Sequence, residues 1–105
     1  MNDINGIKKI ATNYINNVRN TGISVDEAYL FGSYAKGKYS KFSDIDVCIV
    51  SPKFGKDYIE DSLILKKIAN KIDYRIEPVP LTPDDLRNKY STLASEIATS
   101  GINLT

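Results

Sequence analysis

Apolar residues along this chain alternate between helical steps and short unbroken runs, and each change marks an element. Between residues 4 and 19 the apolar positions are Ile4, Ile7, Ala11, Tyr14, Ile15 and Val18. Steps of three and four put them on one face of an amphipathic helix, which Asn20-Thr21-Gly22 ends. Residues 25–31 read as a strand, with the run Ala28 to Phe31 at its end. The run breaks at Gly32-Ser33, and Gly32 to Lys38 predict a tight corner and a short helix. A second strand is predicted over 44–50, apolar from Val47 to Val50 and stopped by Ser51-Pro52.

From Tyr58 to about Ile72 the positions Ile59, Leu63, Ile64, Ile68 and Ile72 recur at helical steps and predict a second core-facing helix. Glu60 and Asp61 near its start, and Lys66, Lys67 and Lys71 near its end, complement the helix dipole. A third strand is predicted over 73–80. Alternation puts Asp73, Arg75 and Glu77 on one face and Tyr74 and Ile76 on the other, and Pro78 and Pro80 favour a sheet edge or a strand end. Thr82-Pro83-Asp84-Asp85 supplies an N-cap, a first-turn proline and first-turn acids. The helix that follows has the stripe Leu86, Tyr90, Leu93, Ala94, Ile97 and Ala98; Gly101 closes it, and 102–105 returns as a short edge strand. The order predicts a two-layer α/β domain: a mixed sheet of three to four strands with helices mainly on one face.

Composition narrows this picture in a few places. A chain of 105 residues is read as one domain, 1–105, with room for a core but not for a separate acceptor-binding domain. Fourteen basic against 13 acidic residues leave a net charge of +1, which disfavours nucleic-acid binding by bulk electrostatics. The absence of histidine removes His-based zinc sites and triads. The single cysteine, Cys48, lies in an apolar run and reads as a small buried hydrophobe. No signal peptide and no long apolar span are visible, so a cytoplasmic location with no membrane partner is expected.

The candidate chemistry gathers between the first two strands. Asp44 and Asp46 are two apart on a strand, so their carboxylates project the same way while Ile45, Val47 and Ile49 point oppositely. Adjacent carboxylates resist joint ionisation unless a positive charge compensates. Hard oxygen ligands suit Mg²⁺ for that task. At the corner, Gly32 allows close backbone approach to a phosphate, and Ser33 adds a hydroxyl beside outward N–H groups. Either feature alone is ordinary loop chemistry. Together, a phosphate cradle and a paired-carboxylate metal site are the equipment for phosphoryl-type transfer from a nucleotide.

Gly32-Ser33, ten intervening residues and Asp44-Ile45-Asp46 resemble the nucleotidyltransferase signature of the DNA polymerase beta superfamily. The wording Leu30-Phe31-Gly32-Ser33-Tyr34-Ala35-Lys36-Gly37, the run Ser43-Asp44-Ile45-Asp46 and the segment 95–104 are most similar to the minimal nucleotidyltransferases, the MNT group. The resemblance implies the nucleotidyltransferase palm. It implies two Mg²⁺ ions held by Asp44 and Asp46, and ATP whose triphosphate lies against Gly32 and Ser33. It also implies a third catalytic and metal-binding carboxylate on a neighbouring strand. Glu77 is the first choice for it, with Asp73 as the alternative; Asp73 also reads as a helix-to-strand turn residue, and Glu77 as half of an ion pair with Arg75 or a lysine. Lys36, Lys38 and Lys41 would attract triphosphate or simply solvate their loop. Tyr34 stands where the family commonly has arginine.

Proteins of this look are often encoded beside a helical HEPN protein, and several are antitoxins that transfer AMP to a tyrosine of that partner. The implied function is therefore AMP transfer from ATP to a tyrosine hydroxyl of a HEPN-type toxin. The acceptor would dock across Gly32 to Asp46 and the loop after Val50, facing Lys36, Lys38, Lys41, Lys53 and Lys56. Two alternatives stand: a non-catalytic antitoxin that neutralises its partner by contact, and a small-molecule nucleotidyltransferase of the aminoglycoside-modifying type. Intact Gly32, Ser33, Asp44 and Asp46 favour the two enzymes, and the small size disfavours the last.

Overall fold

The chain opens with α1 (Ile4–Asn20) in a computed structural model that describes residues 3–105. Asp3 caps this helix, its carboxylate accepting from the Gly6 N–H at 2.7 Å. The expected stripe Ile7, Ala11, Tyr14, Ile15 and Val18 is buried. There follow β1 (Glu27–Phe31), α2 (Ser33–Lys36), β2 (Ile45–Val50), α3 (Tyr58–Asn70), β3 (Ile76–Leu81), α4 (Pro83–Arg87), α5 (Thr92–Ser100) and β4 (Ile102–Asn103). The sheet order is β3-β2-β1-β4. β1 runs antiparallel to β2 and β4, and β2 runs parallel to β3 with α3 as the crossover. This is the mixed four-stranded sheet expected. β3 is an edge strand, where its two prolines are tolerated.

One face of the sheet carries Ala28, Leu30, Ile45, Val47, Ile49 and Ile76 against α1 and α3, and this is the main core. Tyr14 ties the two helices together by donating its hydroxyl to the Leu65 carbonyl at 2.9 Å. The other face is covered less fully: Phe31 and Cys48 pack with Ile97 of α5, flanked by Tyr29, Val79, Leu81, Leu86 and Leu93. Cys48 is fully buried, and burial pushes its thiol up to about 12, so it packs as a hydrophobe. No helix among the described residues is long and apolar enough to cross a membrane.

Three local expectations are corrected. On α3 the buried residues are Leu65 and Ala69, with Ile68 and Ile72 packed beside them; Ile59, Leu63 and Ile64 are 71%, 65% and 44% exposed. The helix carries apolar residues on two faces, both at helical spacing, and packing against β3 and α1 selects one. The last helix is two helices. Asn88 leaves helical geometry (ψ 108°) and its side-chain carbonyl accepts from the Tyr90 N–H at 2.9 Å. Ser91 then caps α5, accepting from the Ala94 N–H at 3.1 Å. Tyr90, expected inside, is 83% exposed. The third strand starts at Ile76 instead of Asp73, because the Asp73 carboxylate accepts from the Arg75 N–H at 2.9 Å and makes a turn.

Candidate active site

Strand register builds the site. Phe31, the last residue of β1, lies opposite Asp46 of β2, and Asp46 lies opposite Glu77 of β3. Residues paired across strands share a face, so Phe31, Asp46 and Glu77 form one row across the end of the sheet. Asp44 stands just ahead of β2 and is exposed. The chain leaves β1 through Gly32 (φ 74°, ψ −150°), and Ser33 opens α2. Gly32 is required twice. Its backbone lies in a region that only glycine enters easily, and a Cβ there would collide with the Asp46 carboxylate. The corner is thus in direct contact with Asp46, whereas Asp44, expected on the strand, precedes it.

Asp46 is half-buried. Burial chiefly, then the charges of Asp44, Glu77 and Glu96, push its carboxyl up to about 6. Such a concentration of acid is what a bound cation relieves, and the hard oxygen donors fit Mg²⁺ in chemistry and charge. Among the described residues no three acid or cysteine side chains already converge as a metal cage. Glu77 is engaged elsewhere: its Oε1 accepts from Lys66 Nζ at 3.0 Å, and that ammonium also donates to the Ile76 carbonyl at 2.7 Å. The lysine ion pair considered for Glu77 is therefore present, although the residue stands in the Asp46 row.

Asp73 is outside that row. It holds Arg75 through two contacts, 3.1 Å to Nε and 2.8 Å to Nη2, and the guanidinium keeps its carboxyl below the usual range. Tyr34 is buried, stacks on Tyr39 with centroids 4.6 Å apart, and donates to the Ser40 carbonyl at 3.3 Å. Its side chain thus anchors the loop. Lys36 and Lys38 are exposed near the corner. Lys53 and Lys56 are not part of this end: they follow β2 beyond its far terminus, which lies about 13 Å along the strand from Asp46 at the usual rise. The loop after Val50 therefore lies at the opposite end of β2 from Asp46.

Glu96 escaped the sequence reading, which saw the last helix as a packing stripe. Its Oε2 accepts from the Gly32 N–H at 3.1 Å and lies 3.5 Å from Lys36 Nζ. One signal was available: Glu96 is the sole charged residue of α5, beside the buried Ile97.

Residues 13–99 match the nucleotidyltransferase domain family. The chain belongs to that family. It is 49% identical over 53 residues to a Methanocaldococcus jannaschii protein named as a protein adenylyltransferase, MJ1547, an overlap of 50% of this chain and 40% of that one. It is 32% identical over 76 residues to the protein adenylyltransferase MntA of Shewanella oneidensis, covering 72% of this chain and 50% of that one. The chain thus spans about half the length, or less, of these relatives. Among solved structures, it resembles a toxin–antitoxin complex with AMP-PNP at TM-score 0.65 and 28% identity, over 90% of this chain and 72% of that one. It also resembles a complex of the MNT antitoxin with tri-AMPylated HEPN toxin from Shewanella oneidensis, at TM-score 0.62 and 25% identity, over 93% and 71%.

Proposed function

We propose that this nucleotidyltransferase domain transfers AMP from ATP to a tyrosine hydroxyl of a HEPN-type toxin, and so acts as an antitoxin. The observation that carries the reading is the contact of the Gly32 corner with Asp46, in one row with Glu77 and next to Asp44. A phosphate-accepting backbone and a group of acids then share one small space. The relatives named as protein adenylyltransferases, the complex with AMP-PNP and the complex of an MNT antitoxin with an AMPylated HEPN toxin support the choice of donor and acceptor.

In this reading Gly32 and Ser33 hold the triphosphate, with Lys36 adding positive charge. Asp44, Asp46 and Glu77 would hold Mg²⁺, which when bound neutralises phosphate charge and acidifies the acceptor hydroxyl. Glu77 takes the proton from the acceptor. The acceptor oxygen forms a bond to the α-phosphorus, the bond from that phosphorus to the bridging oxygen breaks, and pyrophosphate leaves. Most of the acceleration comes from positioning and charge compensation. The AMP group adds negative charge at the toxin's tyrosine, which would repel RNA from a nearby site.

The test is incubation of the chain with labelled ATP and Mg²⁺, with and without the HEPN partner, followed by intact mass and peptide mapping. AMP-sized additions on a partner tyrosine, lost in Asp44→Asn, are expected. The Lys66 contact of Glu77 favours a second reading, a purely binding antitoxin. A partner that remains unmodified yet is neutralised in a stable complex would establish that one instead.

A further inference from the structure

The N–H of Gly32 is the donor that the proposed function offers to a nucleotide phosphate, and a group of the chain itself sits on it. Glu96, in the middle of α5, brings one carboxylate oxygen to 3.1 Å from that nitrogen and 3.5 Å from Lys36 Nζ. The same oxygen therefore meets both the backbone donor and the nearest lysine of the corner. A carboxylate presents what a phosphate oxygen presents: negative charge, acceptor lone pairs and no donor. The helix that carries it is firmly seated. Ala94 and Ile97 are buried, and Gly101 closes so tightly on α5 that a Cβ would lie 2.5 Å from the Ile97 carbonyl oxygen. Glu96 also adds to the negative charge acting on Asp46. Left in place, it would oppose an arriving triphosphate.

We propose that Glu96 is an internal stand-in for a nucleotide phosphate. Before nucleotide arrives, its carboxylate holds Gly32 and Lys36 in their phosphate-accepting arrangement. A nucleoside triphosphate then displaces it and takes over both contacts. The inference rests on the proposed nucleotide site and adds the residue that sets its affinity. Glu96 acts on that corner and not on the reacting atoms, so it is a positioning residue whose effect falls on binding more than on turnover.

Glu96→Gln keeps the shape and removes the charge. It should tighten ATP binding by about three- to tenfold, the range that a typical net hydrogen bond corresponds to. A mere reduction of negative field would also tighten binding, and Lys36→Met separates the two. If Glu96 competes through the corner it shares with Lys36, the gain from Glu96→Gln shrinks in the Lys36→Met background. A field effect survives there at full size.

The experiment is calorimetric titration of the full chain with ATP and Mg²⁺, for wild type, both single variants and the double variant, alongside transfer rates at saturating ATP. Tighter binding in Glu96→Gln, a kcat that changes less than the affinity, and a smaller gain without Lys36 support the proposal. Equal or weaker binding by a folded Glu96→Gln protein overturns it, as does a gain of the same size in both backgrounds. Wild type that binds ATP with an affinity Glu96→Gln leaves unchanged removes only the role of Glu96. A wild type that binds no ATP overturns the nucleotide site and this inference together.

Discussion

At the residue scale the site depends on a few side chains whose neighbours leave little freedom. Asp46 carries its charge against burial and three other acids. Asp44→Asn or Asp46→Asn should abolish Mg²⁺-dependent AMP transfer while far-ultraviolet circular dichroism stays native; full activity in the double variant would remove the proposed acids. Glu77→Gln should slow turnover by about two orders of magnitude, within the range general-base catalysis contributes. Nucleotide affinity, read by the same titration, should change less. If Asp73→Asn is the variant that fails and Glu77→Gln is silent, the third acid has been placed on the wrong residue. Gly32, Ser33, Asp44 and Asp46 were legible because their chemistry is local in sequence. Glu77 needed strand register to join them, and the resemblance supplied that strand. Glu96 was illegible because its partner lies 64 residues away, and no periodicity encodes which helix side chain reaches a distant backbone N–H.

At the element scale, the sequence pattern located every long helix and strand but did not fix which side of α3 faces inward. Ile59 and Leu63 are spaced as well as Leu65 and Ala69, and period alone cannot rank two stripes on one helix. The consequence is measurable. Leu65→Ala, at a fully buried position, should cost about 2–5 kcal/mol in urea unfolding. Leu63→Ala should stay within about 0.5 kcal/mol, since its side chain is mostly in solvent. The reverse order would mean that the sequence-based stripe was right. The divided last helix has a local cause that could have been weighed. Asn88 and Ser91 both favour backbone bonds outside a helix interior, and the stripe from Leu86 to Ala98 concealed them.

At the scale of the whole molecule, the fold sets two unlike regions side by side: an apolar core between the sheet and α1 with α3, and a sheet end where acids gather. Their opposition makes stability depend on pH through Asp46. Its carboxyl titrates near 6 in the folded chain, against an ordinary value of 3.8. The folded state therefore holds this proton more tightly than the unfolded state. The associated stabilisation is complete below about pH 4 and is lost as pH rises through about 6. In buffer without divalent metal, Asp46→Asn should thus melt above wild type at pH 7.5, and the gap should narrow toward pH 4. Solvent screening at a half-exposed carboxylate keeps the effect to a few degrees at most. Mg²⁺ should act in the opposite sense, because at the proposed site it would bind the ionised acids and stabilise by mass action. Added at pH 7.5 it should raise the melting temperature of wild type, with a smaller rise at pH 5 and almost none in Asp46→Asn. A rise of equal size at both pH values, or one that Asp46→Asn retains, would mean that the cation binds away from the row of acids.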